Sequence, residues 1–156
     1  EIEVAIVIGK KGKNITEEKA QDYVFGYCIV NDVSERSWQK ERGGQWIKGK
    51  SIAGPCGPYL VTKDEIKDLN NINLTLDVNG ERRQTGNTER MIFNFNFLIS
   101  HISQFMTLYP GTIITTGTPA GTAMEMSIPK FLIANDKLNL KVDYLGEQNQ
   151  IIIDEI

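Results

Sequence analysis

Glu1-Ile2-Glu3-Val4-Ala5-Ile6-Val7-Ile8 opens the chain, and its period of two decides the fold class. Ile2, Val4, Ile6 and Ile8 fall on one face and Glu1, Glu3, Ala5 and Val7 on the other, the alternation of a β-strand. Tyr23 to Asn31 is an apolar, β-branched run that reads as a buried strand ending at Asn31-Asp32. Asn73 to Val78 alternates again through Leu74, Leu76 and Val78 and meets Asn79-Gly80, the strongest short hairpin signal. Tyr59–Val61 and Thr112–Thr116 read as short strands, and Lys137–Tyr144 with Gln148–Asp154 as a last hairpin around Leu145-Gly146. Against these strands stands one amphipathic helix, carried by Phe95, Leu98, Ile99, Ile102, Phe105 and Met106. Thr16 with Glu17 and Glu18 reads as the capped start of a short helix, and Ser34 to Arg42 as a polar helical turn or loop. Gly43 to Pro58 holds glycines 43, 44, 49, 54 and 57 and prolines 55 and 58, a density that predicts a long loop. Strands and helices do not alternate. The expected fold is therefore α+β, mainly β, with sheet packed on sheet.

The 156 residues fit one domain. Lys plus Arg is 17 and Asp plus Glu is 20, a net charge of -3, which gives no electrostatic footprint for nucleic acid. Apolar runs are far shorter than the ~20 residues of a bilayer helix, so no membrane partner is expected. Cys28 and Cys56 are too few for a disulfide framework and read as reduced thiols, consistent with a cytoplasmic protein without a signal peptide.

Gly44-Gln45-Trp46-Ile47-Lys48-Gly49-Lys50-Ser51 fits the phosphate-loop spacing, but neither a strand before it nor a helix after it is legible, so nucleotide binding is set aside. Glu1 and Glu3 lie two apart on a strand and point to one side, where two carboxylates can share a hard cation. Taken alone, such a pair is ordinarily the polar outer face of an edge strand. Asp32 closes a buried strand and suits either a site at the sheet edge or a turn cap. Lys50 can hold a carboxylate or an enolate, or simply be a solvated loop lysine. Thr116-Gly117-Thr118-Pro119-Ala120-Gly121 offers backbone donors and hydroxyls after a strand, or a plain turn. His101 sits near the polar edge of the helix and reads as a partly exposed structural residue.

Taken in order along the chain, these segments resemble the fumarylacetoacetate hydrolase family, which includes acylpyruvases and hydroxyheptadienedioate isomerases and decarboxylases. The resemblance rests on Glu1-Ile2-Glu3, Gly26-Tyr27 through Asn31-Asp32-Val33-Ser34-Glu35-Arg36, Gly49-Lys50-Ser51, Gly57-Pro58, Val78-Asn79-Gly80-Glu81, Gln84-Thr85-Gly86-Asn87-Thr88, Met91-Ile92-Phe93, Leu108-Tyr109-Pro110-Gly111 and Thr116-Gly117-Thr118-Pro119-Ala120-Gly121. It implies a mixed β-sandwich roll of the family's C-terminal domain type, usually homodimeric. It also implies Glu1, Glu3 and Asp32 as ligands of Mg²⁺, with Mn²⁺ or Ca²⁺ also admitted by an all-oxygen set. Lys50 matches the active-site lysine, Gln39 and Thr118 match substrate contacts, and Arg36 falls where a partner of the carboxylates is expected. The implied substrates are 2-oxo acids or 1,3-diketo acids, cleaved, decarboxylated or isomerised through an enolate held by the metal.

Two departures accompany the resemblance. Ser37 stands where the family pattern has an acid. The family's general base lies N-terminal to the Glu-x-Glu strand, and the chain starts at Glu1, so residues 1–156 read as a single catalytic domain lacking its N-terminal lid. The alternative to an enzyme is a member that binds metal and 2-oxo acid without turnover.

Overall fold

The computed structural model describes residues 1–44 and 54–154. Eight strands run as β1 (Ile2–Ile8), β2 (Val24–Asn31), β3 (Cys56–Thr62), β4 (Asn73–Val78), β5 (Glu81–Asn87), β6 (Ile113–Thr115), β7 (Lys137–Val142) and β8 (Gly146–Ile151). They form two four-stranded sheets, ordered β3-β2-β1-β6 and β5-β4-β7-β8. Every pairing among these strands is antiparallel. Among the described residues, two α-helices accompany them, α1 (Arg36–Gly44) and α2 (Phe95–Phe105). The expected mainly β sandwich is the observed architecture.

β1 is a central strand, flanked by β2 and β6, which explains why all its residues are buried. Its two faces do different work. Ile2, Val4, Ile6 and Ile8 enter the main core with Tyr27 and Ile29 of β2, Leu74, Leu76 and Val78 of β4, and Leu138, Leu140 and Val142 of β7. Each such aliphatic side chain, fully buried, stabilises the fold by roughly 1.5–3 kcal/mol. Ala5 and Val7 face the opposite way and form a smaller cluster with Cys28 and Val30. Glu3 belongs by parity to that second face. The edge-strand explanation of Glu1-x-Glu3 therefore fails, because β1 has neighbours on both sides.

The Asn79-Gly80 hairpin forms as expected, with φ of 52° and 80° giving the paired left-handed residues that a type I′ turn needs. A partly buried amide chain ties the sheets together. Asn31 Nδ2 donates to Gln150 Oε1 (2.7 Å), Gln150 Nε2 to Gln148 Oε1 (2.6 Å), and Gln148 Nε2 to the carbonyls of Gly57 (2.6 Å) and Ile29 (3.1 Å).

Four expectations change. The polar stretch after Ser34 is a helix over Arg36–Gly44 rather than an undecided turn. The long loop expected to Pro58 ends earlier, because β3 starts at Cys56; it is an edge strand, where a proline removes no needed ladder bond. On α2, Phe95 and Ile99 are buried, but Phe105 and Met106 are 71% and 55% exposed. Phe93, Phe97 and His101 instead stack in a row, His101 at 5.6 Å from Phe97 between ring centroids, and Phe105 meets His101 edge to face. The short helix after Thr16 is a 3-10 turn over Glu17–Tyr23, and the Thr16 side chain makes no capping bond to its backbone.

Candidate functional site

β1 and β2 together carry the carboxylates. Ile2 pairs with Asn31, and the Asp32 amide donates to the Glu1 carbonyl at 2.9 Å, extending the pairing by one step. This step sets Asp32 beside the two β1 glutamates. One carboxylate oxygen from each of Glu1, Glu3 and Asp32 lies within 4.8 Å of the others. Glu3 is only 3% exposed, and Glu1 and Asp32 are half-buried.

Each glutamate is oriented by a donor. The Gly117 amide donates to Glu3 Oε2 at 2.8 Å. It is aimed there because Thr116 Oγ1 donates to the Val4 carbonyl (2.6 Å) and Thr118 Oγ1 to the Ile2 carbonyl (2.8 Å). The two hydroxyls thus prolong the β1–β6 ladder past the end of β6. Gln84 locks the same corner: its Oε1 accepts from the Ile2 amide (3.1 Å), and its Nε2 donates to Thr118 Oγ1 (2.8 Å) and the Pro119 carbonyl (2.7 Å). The Arg36 guanidinium pairs with Glu1, and Ser34 Oγ donates to Glu1 Oε2 at 3.4 Å. Burial lowers the Arg36 pKa from its ordinary value, but the guanidinium starts so high that it stays charged.

Arg36 and Gln39 lie three apart on α1 and so share a face. Arg36 Nη1 donates to Gln39 Oε1 at 2.7 Å. Gln39 is 3% exposed, and its Nε2 has no hydrogen-bond partner among the described residues. A buried donor left unpaired costs about 1–3 kcal/mol, so this amide marks a place for an acceptor. Lys50 lies outside the described residues, as do residues 45–51 of the phosphate-loop pattern; the segment before that pattern is helix α1, not the strand a phosphate loop requires.

The donor set fits a hard divalent cation. Oxygen ligands at about 2.0–2.6 Å from a shared ion stand at most about 4–5 Å from one another, and the three carboxylates already meet that limit. A cleft of about 480 Å³ between Gln21, Lys63, Lys67, Asn94 and Asn96 contains none of the three. Its polar groups largely satisfy one another: Gln21 Nε2 donates to Asn96 Oδ1 (2.6 Å), and Tyr27 Oη to Gln21 Oε1 (2.9 Å).

Sequence reading brought together Glu1, Glu3, Asp32, Arg36, Gln39 and Thr118 by resemblance, and the fold places all six around one corner of the first sheet. It missed Ser34, Gly117 and Gln84 as orienting groups. β5 reads Glu-Arg-Arg-Gln-Thr-Gly-Asn, polar throughout, so no alternation shows that Gln84 alone turns fully inward.

Beyond this corner, Glu125 Oε2 accepts from the amides of Gly121 (2.7 Å) and Thr122 (2.8 Å). These bonds hold its carboxyl below the usual glutamate range. A carboxyl depressed in the folded state stabilises above its unfolded pKa and loses that contribution as pH falls through the folded value. Urea unfolding of the parent and Glu125→Gln is therefore expected to differ most near neutral pH, with the parent more stable, and to converge in acid.

Residues 1–153 match the family profile described as fumarylacetoacetate hydrolase C-terminal. The chain belongs to the fumarylacetoacetate hydrolase family. A Burkholderia cenocepacia protein, provisionally named a hydrolase, is 52% identical over 153 residues, which cover 96% of this chain and 54% of that protein. The fumarylacetoacetate hydrolase of psychrophilic Exiguobacterium antarcticum superposes with a TM-score of 0.93 at 38% identity, covering 99% of this chain and 56% of that one. Maleylpyruvate hydrolase from Sphingobium sp. SYK-6, in complex with manganese(II) and pyruvate, gives 0.84 at 31% identity over 98% of this chain and 53% of that one. The chain thus spans about half the length of the fumarylacetoacetate hydrolase family relatives it matches. Among the described residues no helix is long and apolar enough to cross a membrane.

Proposed function

We propose that residues 1–156 form the catalytic domain of a divalent-metal-dependent enzyme that acts on 2-oxo acids or 1,3-diketo acids by C–C hydrolysis, decarboxylation or isomerisation. The observation that carries this reading is the meeting of Glu1, Glu3 and Asp32 within 4.8 Å. These three would hold Mg²⁺ or Mn²⁺, with Ca²⁺ also compatible with oxygen ligands. When bound, the ion supplies a Lewis acid for the carbonyl of the substrate.

The chain's own residues then divide the remaining work. Arg36 offsets part of the negative charge of the cluster and fixes both Glu1 and the Gln39 amide. Gln39 Nε2, buried and lacking an acceptor among the described residues, would donate to a substrate oxygen. Thr118 gives its only proton to Ile2, so it would serve a substrate as an acceptor, as for an enol hydroxyl. Lys50 is proposed to carry the positive charge that binds the substrate carboxylate. A cytoplasmic homodimer belongs to the same reading on the strength of the family resemblance.

The test is calorimetric titration of the chain with Mn²⁺ and then with oxalate, a mimic of a pyruvate enolate, followed by assay of acylpyruvates and oxaloacetate. Oxalate binding that requires Mn²⁺ is the expected result for the chain, with metal-dependent turnover once an N-terminal segment supplies the general base. Oxalate binding without turnover even with that segment present would favour the non-catalytic alternative, and absence of Mn²⁺ binding would refute both.

A further inference from the structure

Cys28 and Cys56 occupy a place that the proposed reaction does not use. Cys28 sits on β2 and Cys56 opens β3, with the two sulfurs 3.2 Å apart. Cys28 is buried and Cys56 exposed. The pair lies on the face that bears Glu3: Glu3 pairs with Val30 across β1 and β2, and Val30 pairs with Cys56 across β2 and β3. Glu3, Val30 and Cys56 therefore form one cross-strand row, and at about 4.8 Å per strand Cys56 stands roughly 10 Å along it from Glu3.

We propose that Cys28 and Cys56 are a modification site, closing to a reversible disulfide when the protein meets hydrogen peroxide. A sulfur–sulfur bond needs a closure of about 1 Å from the observed separation, within reach of side-chain adjustment. The roles follow from exposure. Burial pushes the Cys28 thiol up to about 12, so it stays protonated in the resting protein. The exposed Cys56, as thiolate, attacks peroxide; the O–O bond breaks, Cys56 becomes a sulfenic acid and hydroxide leaves. The Cys28 sulfur then attacks the Cys56 sulfur, the S–O bond breaks, and the departing hydroxide takes the Cys28 proton as water. Two thiols and one peroxide thus give one disulfide and two waters. The bond would pin the first residue of β3 to β2 in the row that carries Glu3.

Peroxide treatment of the metal-free chain, alkylation of remaining thiols and non-reducing peptide mass mapping test the bond without reference to metal. A Cys28–Cys56 linked peptide from monomeric protein, lost on adding dithiothreitol, is expected. With Cys28→Ser, a sulfenic acid at Cys56 that dimedone traps is expected instead. Two thiols that stay alkylatable, over-oxidation of Cys56 with Cys28 free, or links only between molecules would each overturn the proposal. Coupling to the site rests on the metal reading: the oxidised chain should bind Mn²⁺ at least about fivefold more weakly than the reduced chain. Equal affinities would overturn the coupling. A reduced chain that binds no Mn²⁺ would sink the metal reading and the coupling with it, while the linked peptide alone still decides the disulfide.

Discussion

Glu3→Gln is expected to raise the Mn²⁺ dissociation constant of this chain at least about 100-fold. Losing a group that merely orients a ligand costs 10–100-fold in metal affinity, and removing a ligand charge costs no less. Glu3 is the decisive member of the cluster because it is the most buried of the three and the Gly117 amide holds its Oε2 at 2.8 Å. Glutamine keeps the shape and can still accept that hydrogen bond, so the change removes charge and little else. The metal-free variant should melt no lower than its parent, because one of three crowded like charges has gone. Electron paramagnetic titration of Mn²⁺ alongside thermal unfolding separates the two effects. Unchanged affinity would refute the ligand assignment.

Gly121→Ala should destabilise the fold by at least about 3 kcal/mol, a size reached only through a specific clash or strain. Gly121 has a φ of +108°, and a Cβ there would lie 2.0 Å from the Arg83 carbonyl of β5. The obstacle is backbone, which cannot swing aside as a side-chain tip could. Gly117→Ala is the control: it shares the positive φ, at +96°, but a Cβ there meets nothing within 4 Å. It should cost about 1–2 kcal/mol, the usual penalty for an L-residue in that region. Urea unfolding of both variants measures the difference. Equal losses would mean that the close packing of the turn on β5 does not matter.

Much of this was legible before any fold was known. β1 matches its alternation to the residue, and β4 runs over Asn73–Val78 as read. Such strands are readable because one side of each must be apolar. Elements without that contrast were not. α1 is strongly polar, and its sequence alone left helix and loop undecided. On α2 the residues Phe105 and Met106 fit the apolar period but lie past the part that packs, and periodicity cannot tell where a helix leaves its neighbour. β3 was hidden by Gly57 and Pro58, which are tolerated because they sit at the edge of a sheet.

Strand periods, hairpin turns, the mainly β class and, through a series of ordered motifs, the family are legible in the residues alone. That β1 is a central strand, that Asp32 lies beside Glu1 and Glu3, and that Gly117, Gln84 and Arg36 hold this corner in place emerges with the fold. The reason is physical. Period and turn chemistry are local and can be read within a few residues, whereas a carboxylate cluster joins positions 1, 3 and 32, and the groups that orient it come from positions 36, 84 and 117. Those groups meet through strand pairing and burial, which act between segments that no local pattern connects.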